Sequence, residues 1–151
     1  MYRERREYRI PEWMQDFLGY MKNLLGWIEK LYSNIALRVN WLLTTIVEDH
    51  TSDDTLNAAE TRSIHTNQGA TGAVTLTLPT VDYAGVEFTF AVQVAQELRV
   101  DPGSATIRDD SGQTADKYKT ANAIGECLKV VSNNDGDWIT VSKYGTWTEE
   151  S

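Results

Sequence analysis

The sequence predicts an α+β chain organised by segments: a long N-terminal amphipathic helix of coiled-coil type, followed by a small antiparallel β-sandwich or barrel. Three observations carry this expectation. Apolar residues recur every seven positions through the first third of the 151-residue chain. A polar, Asp- and Thr-rich stretch, EDHTSDDTLNAAET, then ends that repeat. Beyond it, short runs alternating apolar with polar residues stand between turn sequences rich in Gly, Asn and Asp.

Four segments follow from these boundaries: a basic arm over 1–10, a helical oligomerisation or anchoring segment over 11–48, a linker over 49–60 and a β head over 61–151. The arm holds Arg3, Arg5, Arg6 and Arg9 interleaved with Glu4 and Glu7. Pro11 suits the first helical position, and Glu12 and Asp16 favour the positive end of the helix dipole. With Met14 at heptad position a, that position holds Met14, Met21, Ile28, Ile35 and Leu42. Position d holds Phe17, Leu24 and Leu31 before Arg38 and Thr45 interrupt it. Position e is also apolar, and Trp13, Tyr20, Trp27 and Trp41 line position g. A two-stranded seam needs only a and d, so a stripe this wide predicts cover by two or more neighbours. Branched a residues with Leu at d favour two strands, whereas the apolar e and g positions favour more, and the expectation is a trimer. Gly19, Gly26, Ser33 and Asn40 repeat on the opposite face. There each glycine weakens an isolated helix by roughly 1 kcal/mol, admits close approach of another wall of protein, or marks a break near Gly26.

In the head, TRSIHT, GAVTLTLP, VEFTFAVQV, ELRVDP, ATIRD, ECLKVVS, DWITVSK and GTWT read as strands, with turns at NQGATG, DYAG, DPGS, DDSG and NNDGD. The segment 115–125 lacks alternation and reads as a loop. Cys127 lies in an alternating apolar run and is expected to be a buried, inert thiol.

Charge narrows the function classes. Residues 1–48 carry seven basic and six acidic side chains, and residues 49–151 carry seven and sixteen. An acidic head disfavours nucleic acid. Glu29, Lys30 and Arg38 interrupt every window long enough to span a membrane, so no membrane insertion is expected. The N-terminus lacks a secretory h-region, placing folding in a cytoplasm. His50 and His65 have no third ligand at recognisable spacing, so no metal site is expected. No serine has a nucleophile context, and neither a cofactor nor catalytic residues are expected. Asp109, Asp110, Asp135 and Asp137 are the only clustered carboxylates an enzyme could draw on, and turns explain them better. Tyr144 and Trp147 form a possible ligand surface, for instance for a host glycan.

The Thr-rich strand ending in Leu-Pro, the following VEFTFAVQV, the LRVDPG turn and the closing DWITVSKYGTWTEES resemble small trimeric fibre- or decoration-type virion proteins of tailed bacteriophages. The likeness covers roughly residues 60–151. It implies a non-enzymatic viral structural protein, assembled in the host cytoplasm and carried on the virion. An N-terminal helical anchor would hold it to capsid or tail proteins while it displays a β-sandwich head. A helix of some 36 residues reaches only about 50 Å, so a short head fibre or capsid-decoration protein is expected, and a tail fibre or spike with a receptor- or glycan-binding head is the alternative. The anchoring residues would be Trp13, Met14, Phe17, Met21, Leu24, Trp27, Ile28, Leu31, Ile35, Trp41 and Leu42.

Overall fold

A computed structural model describes residues 9–151, with the backbone alone for 37–43. Arg3, Arg5 and Arg6 of the arm, and the side chains of Trp41 and Leu42, therefore lie outside the described residues. The chain divides into two compact units, 1–44 and 45–151.

The described part of the first unit holds one helix, α1 (Glu12–Leu43). Its first turn is closed by the Pro11 carbonyl, which accepts from the amides of Met14 (2.9 Å) and Gln15 (3.2 Å). No break occurs at Gly26, and a methyl group at Gly19 or Gly26 would meet open space. The helix stops four residues earlier than the apolar repeat suggests. Thr44, Thr45, Ile46 and Val47 are all β-branched, which disfavours a helix and suits a strand, and Val47 opens one.

That strand begins the second unit, whose strands are β1 (Val47–Asp49), β2 (Asp54–Thr55), β3 (Ser63–Thr66), β4 (Val74–Thr77), β5 (Glu87–Ala91), β6 (Leu98–Asp101), β7 (Ile107–Arg108), β8 (Lys119–Ala121), β9 (Cys127–Ser132), β10 (Trp138–Tyr144) and β11 (Thr148–Glu149). They form a six-stranded sheet, β1-β3-β5-β9-β10-β7, and a five-stranded sheet, β11-β8-β6-β4-β2. The polar stretch expected to be a linker thus carries the end of β1 and all of β2, both paired, and its Leu56 is buried.

The antiparallel expectation holds only in part: β5 with β9, β9 with β10, β6 with β8 and β8 with β11 are antiparallel, and the other pairings are not. β1, β3 and β5 run parallel, as do β2, β4 and β6, and β7 with β10. The reason lies in the connections. From β1 to β6 the chain alternates between the sheets, so each strand reaches its same-sheet neighbour after passing through the other sheet and re-enters in the same direction. Turns such as NQGATG and DYAG, which look like hairpin turns, carry the chain between sheets instead. NNDGD alone links consecutive neighbours, β9 and β10: Asn133 Oδ1 accepts from the amides of Asp135 (2.8 Å) and Asp137 (2.9 Å).

Alternation sets the inward face. Val74, Leu76, Phe88, Phe90, Leu98, Val100, Leu128 and Val130 are fully buried and belong, with Ile107 and Trp138, to one apolar core drawn from both sheets. Asn67 is buried with them and pins the connection after β5. Its Oδ1 accepts from the amides of Gln93 (2.7 Å) and Val94 (3.2 Å), and its Nδ2 donates to the carbonyls of Val94 and Gln96. Cys127 points the other way along β9 and is half-buried rather than buried.

Candidate functional site

Two features stand apart from ordinary core and surface: the apolar side of α1 and a buried histidine pair at the edge of the first sheet.

On α1 the heptad residues form a stripe open to solvent. Trp13 and Trp27 are 67% and 63% exposed. Phe17, Ile28, Leu31 and Ile35 are exposed as well, whereas Met14, Met21 and Leu24 are half-buried. Leu18, Tyr20, Leu25 and Tyr32 extend the exposed surface around the helix. Apolar surface of this extent and continuity is characteristic of a contact surface. No described helix is long and apolar enough to cross a membrane.

The histidine pair was not legible as a pair. β1 lies on β3 in parallel register, Glu48 opposite His65 and Asp49 opposite Thr66. His50 follows directly, its amide donating to the Thr66 carbonyl (2.8 Å). The chain then crosses to the second sheet at β2, so Asp54 returns beside His50. The result is a connected row. Ser63 Oγ lies 2.6 Å from His65 Nε2, His65 Nδ1 lies 2.9 Å from His50 Nε2, and His50 Nδ1 lies 3.4 Å from Asp54 Oδ2. Both rings are buried, and His65 is enclosed by Phe88 and Phe90 at ring-centre distances of 5.6 and 5.9 Å. Glu48 Oε2 stands 4.0 Å from His65 Nδ1, with its side chain 47% exposed. Asp54 also borders an open depression of about 380 Å³ lined by Asp53, Thr55, Thr75 and Thr77.

One proton assignment serves every contact: the Ser63 hydroxyl donates to His65 Nε2, His65 Nδ1–H donates to His50 Nε2, and His50 Nδ1–H donates to the Asp54 carboxylate. The reverse assignment would turn a ring lone pair toward that carboxylate. The row resembles a nucleophile relay in its atoms, but Ser63 is buried, so its oxygen faces the core rather than a substrate.

Burial, reinforced by the neighbouring His50 and only partly offset by Asp54, lowers the His65 pKa from 6.5 to about 4. Its ring is therefore neutral at pH 7. In the unfolded chain the same ring takes a proton below about pH 6.5, so folding stability falls as the pH drops from 6.5 toward 4, by about 3 kcal/mol at the lower end. Proton NMR is expected to show His65 titrating near pH 4. A midpoint near 6.5 for His65 would contradict the buried neutral ring.

The remaining sequence candidates are dispersed into structural roles. Trp147 is 2% exposed, so it is not a ligand surface. The chain turns at Gly145, which has a positive φ of 87°, and the indole folds into the core. Tyr144 is 70% exposed and is left without that companion ring. Asp109, Asp110 and Asp137 form ion pairs with Lys119, Lys143 and Arg108 respectively, and the Asp137 carboxylate also accepts from the Thr106 amide. The segment 115–125, expected to be a loop, contains β8 and with it the fully buried Lys119.

Neither a protein-family model nor a curated protein sequence matches the chain.

Proposed function

We propose that the protein is a non-enzymatic structural component of a bacteriophage virion, a short head fibre or capsid-decoration protein that assembles through α1 and displays the β unit. The exposed apolar stripe of α1 is the observation that carries this reading. At 1.5 Å per residue the 32 residues of α1 extend about 48 Å, enough for a clasp but short for a shaft. In this reading three α1 helices coil about a common axis, with Met14, Phe17, Met21, Leu24, Ile28, Leu31 and Ile35 inward and Trp13 and Trp27 as flanking anchors. The two sheets of each head stack as a sandwich. The setting on a phage particle rests on the likeness of residues 60–151 to fibre and decoration modules.

The test is the full chain carrying Leu24→Glu and Ile28→Glu, two charges placed in the stripe without touching the β unit. Light scattering is expected to show a mass near three chains for the unaltered protein and one chain for the double variant, with the NMR amide shifts of the β unit preserved. Co-sedimentation with separated capsids and tails then places the protein. Capsid binding supports decoration, tail binding supports the fibre or spike alternative, and binding to neither contradicts the virion role.

A further inference from the structure

We infer that Glu48, His50 and His65 form a binding site for one divalent transition-metal ion, of which zinc is the best fit. One ligand atom from each lies within 4.8 Å of the other two, and the close pairs are His50 Nε2 with His65 Nδ1 at 2.9 Å and His65 Nδ1 with Glu48 Oε2 at 4.0 Å. They are brought together by the parallel register of β1 on β3 rather than by spacing along the chain. Two imidazoles with one carboxylate are a zinc-type donor set, leaving a fourth position for water.

The distances need only small adjustments, with the two ring nitrogens turning from each other toward the ion. Ligands about 2.0–2.1 Å from a tetrahedral ion stand about 3.3 Å apart. The two ring nitrogens, at 2.9 Å, would open by a few tenths of an ångström, and the Glu48 oxygen, at 4.0 Å from His65, would close by somewhat more. Glu48 is the half-exposed member, so its side chain is the one free to move.

The surroundings also match a ligand set. Each histidine has an oxygen partner on its other nitrogen, Asp54 for His50 and Ser63 for His65. Such partners fix the ring orientation and make the coordinating nitrogen a better donor. His50 already has the required tautomer, with Nδ1–H toward Asp54 and the Nε2 lone pair inward. For His65 the proton passes from Nδ1 to Nε2 as the ion takes Nδ1. Ser63 serves both forms, because its hydroxyl donates to Nε2 in the metal-free protein and turns to accept from Nε2–H in the loaded one. The ring stays neutral throughout, so loading the site requires no net proton release. Phe88 and Phe90 wall His65 on the core side, a dry backing that strengthens the interaction with a cation.

Full-length protein, stripped with a chelator and titrated with Co²⁺ and Zn²⁺ in the presence of excess Mg²⁺, tests this directly. Co²⁺ is expected to give visible ligand-field absorption saturating at one ion per chain, displaced by Zn²⁺, with a rise in the thermal midpoint. Glu48→Ala and Asp54→Asn alter half-exposed side chains, and both variants should keep the fold by circular dichroism. Each is expected to weaken binding about 10- to 100-fold, and His50→Gln to abolish it. Absence of stoichiometric binding, or binding equally tight in Glu48→Ala and His50→Gln, would overturn the proposal and place any bound ion on the acidic surface of the head.

Discussion

Replacing Lys119 by methionine is expected to destabilise the β unit by about 3–5 kcal/mol, measured as a shift of the urea midpoint at pH 7. Lys119 lies on β8 with its side chain fully enclosed. Its ammonium donates to the Gly112 carbonyl (2.8 Å), Glu149 Oε2 (2.8 Å) and Ser111 Oγ (3.2 Å), and Asp109 Oδ1 stands at 3.2 Å. Both carboxylates are themselves withdrawn from water, at 3% and 12% side-chain exposure. Methionine fills the same space, so the loss comes from leaving Glu149 without its cation and Asp109 with only Lys143, at 3.7 Å. Adding Asp109→Asn and Glu149→Gln to the Lys119→Met chain should therefore recover much of the stability. A single variant within 1 kcal/mol of the unaltered protein would show that water already reaches the cluster.

The same cluster sets a pH signature opposite in origin to that of His65. Lys119 and then Thr114, by hydrogen bonding, hold the Glu149 carboxyl at about 2. Burial pushes Asp109 upward, but bonds from Ser111 and Lys119 outweigh it and hold it below the usual range. Carboxyls depressed in the folded state contribute stability that is present at neutral pH and lost as the pH falls from about 4.5 toward 2. The Lys119→Met chain is expected to lose less over that interval.

Trp138→Ala is the second large effect, with an expected cost of about 3–5 kcal/mol. Trp138 is 1% exposed, its ring lies 5.8 Å from that of Phe88, and its strand position pairs with Ser132 on one side and Ile107 on the other. Its amide also donates to the Thr106 carbonyl (2.8 Å). The substitution opens a cavity where β7, β9 and β10 meet, and the loss should register as a lower denaturant midpoint. Tyr144→Ala, at the exposed end of the same strand, is expected to stay within about 0.5 kcal/mol. Equal costs at the two positions would mean that the core lies elsewhere.

Period alone was enough to expose α1 and the six described strands of four or more residues, because apolar spacing is a property of one segment. Pro11 and Glu12 mark the helix start for the same local reason. The repeat places the end too late, since Leu42 and Ile46 continue it while the β-branched run from Thr44 to Val47 no longer favours the helix. β1 and β2 escaped notice because VED and DT are exposed edge strands with no alternation to read. Strand direction was equally hidden: alternation assigns faces to Phe88 and Leu76 but does not say which neighbour each strand meets. The His50–His65 contact depends on that missing register. Fifteen positions apart in sequence, the two rings meet only because β1 returns beside β3 in parallel. Two polar residues at alternate positions of SIHT, Ser63 and His65, set before the apolar-alternating EFTF, are the one hint of a buried polar partner. Lys119 left a similar trace, a charged residue at an inward position of a segment too short to show a period.

The reading of α1 as an assembly surface stands or falls on the mass of the intact chain in solution. Sedimentation equilibrium of the full-length protein across micromolar concentrations is expected to give about three times the 17.0 kDa of one chain. A single-chain mass at every concentration, with the helix still formed by circular dichroism, would contradict it.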